Sequence, residues 1–313
     1  MTTGLVYHSD YLKHNTGQHP ERASRVEVIV QALQSDEELW NTLMKISPQP
    51  ASKSDILLCH SEALVERVHT ACKQDIGYLD ADTAISPESF DVALLAAGGV
   101  LSAVDAVFEG KANNAFAVLR PPGHHATPDR AMGFCLFNNA AIGARYAQQK
   151  HGAETVLIID WDVHHGNGTQ DIFYYDNTVY YFSLHQYPWY PGTGTRFERG
   201  LGRGEGYTLN IPLPGSTPAR HYRQAFEDGL KEISGVFSPD LIIISAGFDS
   251  HRLDPLGQLM LEEDDFVYLT QRVLELADRH CRGRVISCLE GGYNLKVLGE
   301  TARRHVGALG AGA

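Results

Sequence analysis

Short apolar runs punctuate the chain, and each ends at a cluster of turn-forming and polar residues. LVY (5–7), AFAVL (115–119), TVLIID (155–160), VYYFSL (179–184), LIIIS (241–245) and RVISCL (284–289) share this form. A run without polar alternates faces water on neither side. It suits a strand buried on both faces, as in parallel sheets covered by helices. YTLNIPL (207–213) is a weaker candidate. Helical patterns lie between these runs, at 21–35, 89–110, 138–152, 220–237 and 264–280. The alternation predicts an α/β fold over residues 1–313: a single domain with a central, mostly parallel sheet and helices on both faces. No repeat or low-complexity linker divides the chain. The small-residue tail GALGAGA reads as a segment that frays.

Charge and cysteine content narrow the function. The formal net charge is −12, which argues against a nucleic-acid partner, since phosphate binding needs a basic face. Five scattered cysteines, with no CxxC pair, suit reduced thiols and a cytoplasmic protein. No secretory h-region is visible near the N-terminus. No apolar stretch approaches the ~18 residues that a membrane span requires, so no membrane partner is expected. The oligomeric state is left open.

The polar chemistry sits where the predicted strands end, which is where α/β folds gather functional groups. TVLIID runs into WDVHHGNG, and LIIIS runs into AGFDS. In extended chain, residues two apart face the same way, so Asp160, Asp162 and His164 can share a pocket. DWDVHH by itself also fits an Asp–His pair closing a strand. With Asp249 added, Asp162 and His164 complete three ligands for a divalent ion and leave one position open, the catalytic rather than the structural arrangement. RPPGHH (120–125) holds two histidines on a stiff turn. His124 and His125 can relay a proton, and Asp160 and Asn167 are the nearest partners to set their tautomers. In LEGGYNL (289–295), Gly291 and Gly292 allow close backbone approach, and Tyr293 can present its hydroxyl to a developing oxyanion. Phe134, with Trp189 or Tyr190, can form a slot for a long aliphatic chain.

Taken in order, RPPGHH, GFCLFNNAAIGARYA, IIDWDVHHGNGTQ, SLHQYPWYPGTG, SAGFDSHRLDPLGQ and LEGGYN resemble the zinc-dependent histone deacetylase family. This belongs to the arginase–deacetylase superfamily, with the acetylpolyamine amidohydrolases and acetoin-utilisation proteins. The form of the motifs is closer to the class II branch. The resemblance implies the arginase–deacetylase fold and hydrolysis of an acylated lysine. It implies one catalytic Zn²⁺ on Asp162, His164 and Asp249. His125 would be the general base and acid, His124 its electrostatic partner bonded to Asp160, and Tyr293 the oxyanion donor. Gly133, Phe134, Tyr190, Leu256 and Gly292 would contact substrate, and Arg22 would lie in an internal acetate channel. A structural K⁺ or Na⁺ would use oxygens around Asp160, Asp162, His164, Ser183 and Leu184, with a second such site near Phe173, Asp176, Val179 and Tyr207.

Two departures bear on chemistry. Asn167 replaces the aspartate of class I members, which removes a negative charge beside His125 and disfavours its protonated form. Leu256 stands where polyamine-selective members carry a glutamate, and the region around DADTAISPES is short. Both features favour an acyl-lysine protein or peptide over a small cationic acyl-amine. Asp80, Asp82 or Glu198 could still offer a carboxylate near the rim. Deacetylation of acetylpolyamines, removal of longer acyl groups and a catalytically idle acyl-lysine reader are the alternatives.

Overall fold

The computed structural model describes residues 1–312. Eight strands form one sheet: β1 (Thr3–Val6), β2 (Met44–Ile46), β3 (Asn114–Ala117), β4 (Val156–Asp160), β5 (Val179–Gln186), β6 (Thr208–Leu213), β7 (Leu241–Ala246) and β8 (Val285–Leu289). Ten helices accompany them: α1 (Ser24–Ser35), α2 (Glu37–Thr42), α3 (Lys53–Ile56), α4 (Glu62–Lys73), α5 (Ser89–Phe108), α6 (Asn139–His151), α7 (Asn167–Phe173), α8 (Ala219–Ser234), α9 (Glu263–His280) and α10 (Leu295–Ala311). Every strand pairing is parallel, in the order β2-β1-β3-β8-β7-β4-β5-β6. The α/β expectation therefore holds, and "mostly parallel" becomes wholly parallel.

Strand pleating divides each apolar run between two cores. In β4, Val156 and Ile158 face one core, while Leu157 and Ile159 face the other. In β7, Leu241 and Ile243 part from Ile242 and Ile244 in the same way. Helices α3 to α6 cover the first face, and α1, α8, α9 and α10 cover the second. Each fully buried Val, Leu or Ile contributes roughly 1.5–3 kcal/mol, so the runs hold both layers at once.

Two expectations fail. The GALGAGA tail does not fray: through Ala311 it is the last part of α10, with Ala308 and Leu309 buried; Ala313 lies outside the described residues. The second concerns α5, a 20-residue helix long and apolar enough by composition to cross a membrane. Asp91, Ser102 and Asp105 interrupt its apolar run, which is why the sequence showed no such stretch. Here α5 is a core helix. Its Gly98 lies so close to the segment carrying Gln49 that an added Cβ would stand 1.8 Å from the Gln49 carbonyl oxygen.

The chain visits β1 to β3, crosses to β4, β5 and β6, and returns through β7 and β8 to fill the gap between β3 and β4. That switch in winding direction opens a crevice at the carboxyl ends of the central strands. Five consecutive neighbours, β3, β8, β7, β4 and β5, deliver the polar loops there.

Candidate active site

Asp162 and His164 follow β4, and Asp249 follows β7, its neighbour. One donor atom from each lies within 4.8 Å of the others, and all three residues are buried. His164 Nδ1 is 3.0 Å from Asp162 Oδ1 and 3.2 Å from Asp249 Oδ2. Backbone amides fix the carboxylates: Gly291 N donates to Asp162 Oδ2 at 2.8 Å, and Val163 N donates to Asp249 Oδ1 at 2.8 Å. Asp249 Oδ2 has no hydrogen-bond partner although buried. Burial, with repulsion from Asp162, pushes the Asp249 carboxyl up to about 7. Two buried carboxylates and an imidazole around an unpaired oxygen fit a divalent cation.

The loop after β3 brings His124 and His125 beside this cluster. His124 Nδ1 donates to Asp160 Oδ2 at 3.0 Å, and the Tyr181 hydroxyl donates to the same oxygen at 3.0 Å. Burial opposes a charge on His124, but Asp160 and Asp162 outweigh it and raise its pKa to about 10. His125 differs. Burial, then the charges on His124 and His164, hold it well below its ordinary value. Its Nδ1 donates to Asn167 Oδ1 at 2.9 Å, which leaves Nε2 with a lone pair. Two adjacent histidines thus hold opposite protonation states, a division that suits acid–base work.

A cleft of about 270 Å³ leads to these groups, lined by Asp82, His125, Gly133, Phe134, His164, Trp189, Tyr190, Pro255, Leu256 and Tyr293. The Tyr190 ring meets His125 edge-on, with centroids 5.0 Å apart. Phe134 meets Tyr293 at 5.9 Å. Phe134 has φ of 69° and Gly133 has φ of 57°. A left-handed phenylalanine is strained, a cost that recurs at functional loops. Burial raises the Tyr293 hydroxyl well above its ordinary pKa, so it stays a donor. Both Trp189 and Tyr190 reach the cleft, where the sequence left a choice between them.

Other assignments are displaced. Arg22 is half-buried beside a surface hollow with His14, Asn15 and Thr16. Arg25, almost one helical turn on, is fully buried beneath the Glu290–Tyr293 loop instead. Its guanidinium donates to the carbonyls of Gly292 and Glu290, and its Cζ lies 4.7 Å over the Tyr293 ring. Gly292 is absent from the cleft wall: Leu298 and Phe248 crowd its Cβ side, and its φ of 118° turns the loop. Glu198 is not a rim carboxylate; it accepts from Gln170, Gly194 and Thr195. Asp82 does line the cleft.

The proposed monovalent-ion residues divide. Asp160 pairs in register with Ser183 on β5, which puts the first set at adjacent strand ends. Ser183 Oγ lies 2.8 Å from His185 Nδ1. In the second set, the Asp176 carboxylate already holds Arg145 at 2.6 Å and accepts from Thr178 N at 2.7 Å. Arg145 also lies over the Phe173 ring. An ion there would have to rely on backbone oxygens, and those of Phe173 and Tyr207 already accept from Asp176 N at 3.0 Å and Tyr181 N at 2.9 Å, which leaves each one lone pair.

Sequence reasoning passed over Glu290, Asp254 and Arg25. Glu290 is wholly buried and accepts from Gly123 N at 2.7 Å, His124 N at 3.2 Å and Ser245 Oγ at 3.2 Å. The signal was a glutamate directly after an apolar strand, a position that only a set of donors can satisfy.

Among known proteins, the family described as "Histone deacetylase domain" matches residues 19–309. A probable deacetylase of Archaeoglobus fulgidus is 42% identical over 299 residues, covering 95% of this chain and 82% of its own length. Chloroplastic histone deacetylase 10 of Oryza sativa subsp. japonica is 42% identical over 306 residues, covering 93% and 69%. The crystal structure of the HDA15 HD domain matches with a TM-score of 0.94 at 38% identity, over 100% of this chain and 89% of that one.

Proposed function

Since the chain belongs to the histone deacetylase family and is a hydrolytic deacetylase, we propose that it removes acetyl groups from Nε-acetyl-lysine in proteins or peptides. The supporting observation is the cleft, where aromatic walls lead to a neutral His125, a protonated Tyr293 and the three-residue cation site. Asp162, His164 and Asp249 would hold one Zn²⁺. When bound, zinc supplies a Lewis acid that polarises the amide carbonyl and lowers the pKa of water.

The chain's own groups divide the remaining work. Phe134 and Tyr190 clasp the aliphatic part of the side chain and exclude water from its flanks. His125 takes a proton at Nε2 from the attacking water, with Asn167 holding the opposite nitrogen. His124, kept cationic by Asp160, adds positive charge beside the reacting carbon. Tyr293 donates its hydroxyl hydrogen bond to the oxyanion. His125 then returns its proton to the leaving amine, which departs as lysine while acetate is released. A K⁺ or Na⁺ near Asp160, Ser183 and Leu184 would stiffen the strand ends that carry the ligands.

Asp82 at the cleft favours a second substrate, a small cationic acyl-amine whose distant ammonium it would attract. Hydrolysis of an acetyl-lysine peptide and of N-acetylputrescine by the zinc-loaded protein decides between them. Peptide turnover that collapses in Tyr293→Phe supports the lysine reading; preference for acetylputrescine overturns it.

A further inference from the structure

Asp254 lies in the loop after β7 and is 7% exposed. Its carboxylate joins two walls of the cleft. Oδ1 accepts from Leu256 N at 2.9 Å. Oδ2 accepts from Tyr293 N at 2.6 Å and from Asn294 N at 3.1 Å. The wall does not end there, since the Leu256 carbonyl accepts from Trp189 Nε1 at 2.9 Å. One carboxylate therefore connects the Trp189–Leu256 side of the cleft to the backbone of Tyr293.

The tyrosine loop needs such a restraint. It follows two glycines, and Gly292 has a φ open to few other residues. From the other side, Arg25 donates to the carbonyls of Gly292 and Glu290. The loop is thus held between a buried cation that grips its carbonyls and a buried anion that grips its amides. We propose that Asp254 is a positioning residue that sets the Tyr293 hydroxyl and the Leu256–Trp189 wall in a common register. It would fix the cleft's width and the oxyanion donor's place together. This rests on the reading of Tyr293 as the oxyanion donor.

The chemistry of the grip makes it testable. A carboxylate accepts at both oxygens, whereas a carboxamide accepts at one only. Asp254→Asn must therefore release either Leu256 N or the Tyr293–Asn294 pair. The loops would not part entirely, because Asn294 Nδ2 donates to the Leu253 carbonyl at 2.7 Å. The variant should fold with a displaced tyrosine.

The experiment is a double-mutant cycle on the zinc-loaded full chain with an acetyl-lysine peptide. Asp254→Asn is expected to lower kcat on the order of 10²-fold and to raise KM by a smaller factor as the Leu256–Trp189 wall loosens. In a Tyr293→Phe background it should have almost no further effect on kcat, because Asp254 acts on the chemical step through that hydroxyl. An equal factor in both backgrounds would mean general stabilisation only and would overturn the assignment. Hydrogen exchange by mass spectrometry gives a readout independent of turnover. In Asp254→Asn, the amides of Leu256 or of Tyr293 and Asn294 should exchange faster, while those of Gly123 and His124 stay protected. Unchanged exchange at all three overturns the proposal. If the wild type fails to hydrolyse the peptide, the substrate reading falls, and exchange alone decides whether Asp254 couples the walls.

Discussion

Replacing Gly133 by alanine should disable the enzyme through one methyl group. The added Cβ would lie 2.5 Å from His125 Cδ2, 2.8 Å from Cγ and 3.0 Å from Cβ. Carbon atoms rest at about 3.5–4.0 Å, so the imidazole must retreat by about 1 Å or the backbone must shift as far. The left-handed φ of 57° adds ~1 kcal/mol of strain for alanine. A retreat of that size stretches the 2.9 Å bond from His125 to Asn167 past hydrogen-bonding range and misplaces Nε2. Misplacement by about 1 Å costs on the order of 10²-fold in rate. If the imidazole is what yields, Phe134 and Tyr190 keep their places and KM changes little. Overpacking lowers stability by about 1–3 kcal/mol. The assay is steady-state hydrolysis of an acetyl-lysine peptide alongside thermal unfolding. A folded Gly133→Ala protein with kcat within about twofold of wild type would refute the placement of His125 against this loop.

Three further outcomes follow from the same geometry. Zinc should raise Tm, by about 4 kcal/mol of stabilisation at a thousandfold excess over Kd, and Asp249→Asn should lose most of that shift; an equal shift in the variant would place the ion elsewhere. Leu256→Glu should favour N-acetylputrescine over peptide by about tenfold in relative kcat/KM, since ~1.4 kcal/mol is a modest attraction for a partly exposed charge pair; unchanged selectivity would show that this wall does not meet the distant ammonium. His60 is buried and held down to about 4 by desolvation, with Nε2 accepting from Asn138 N, whereas in the unfolded chain it protonates near pH 6.5. Between those values the unfolded state binds the extra proton, so this contribution is complete above about pH 6.5. It falls by ~1.4 kcal/mol per unit towards pH 4, by about 3 kcal/mol in all. Denaturant unfolding against pH should show a shallower slope in His60→Gln, and equal slopes would refute the assignment.

Much of the molecule could be read before any coordinates. Runs such as VLII (156–159) and LIII (241–244) suit strands buried on both faces, because every side chain in them is apolar. The residue types at their ends already marked the candidates: Asp162, His164 and Asp249 for a cation, His124 and His125 for proton transfer, and Tyr293 for an oxyanion donor. Local spacing determines these features, and local spacing is what a sequence displays. Short β2 and helices α2, α3 and α7 carried too little periodicity to be seen, and the longer α4 and α10 were missed as well, whereas α5 was legible as a helix over 89–110.

Strand order lay beyond the sequence. That β8 and β7 return to the gap between β3 and β4 is a long-range choice, and it alone brings Asp249 to Asp162 and places Tyr293 opposite His125. Tertiary packing also decided which arginine enters the interior: Arg22 and Arg25 share one short segment, and only the docking of α1 turns Arg25 towards the glycine loop. The opposite protonation states of His124 and His125 arise in the same way. Adjacent residues of one type look alike in sequence; charges and burial contributed by distant strands make them different.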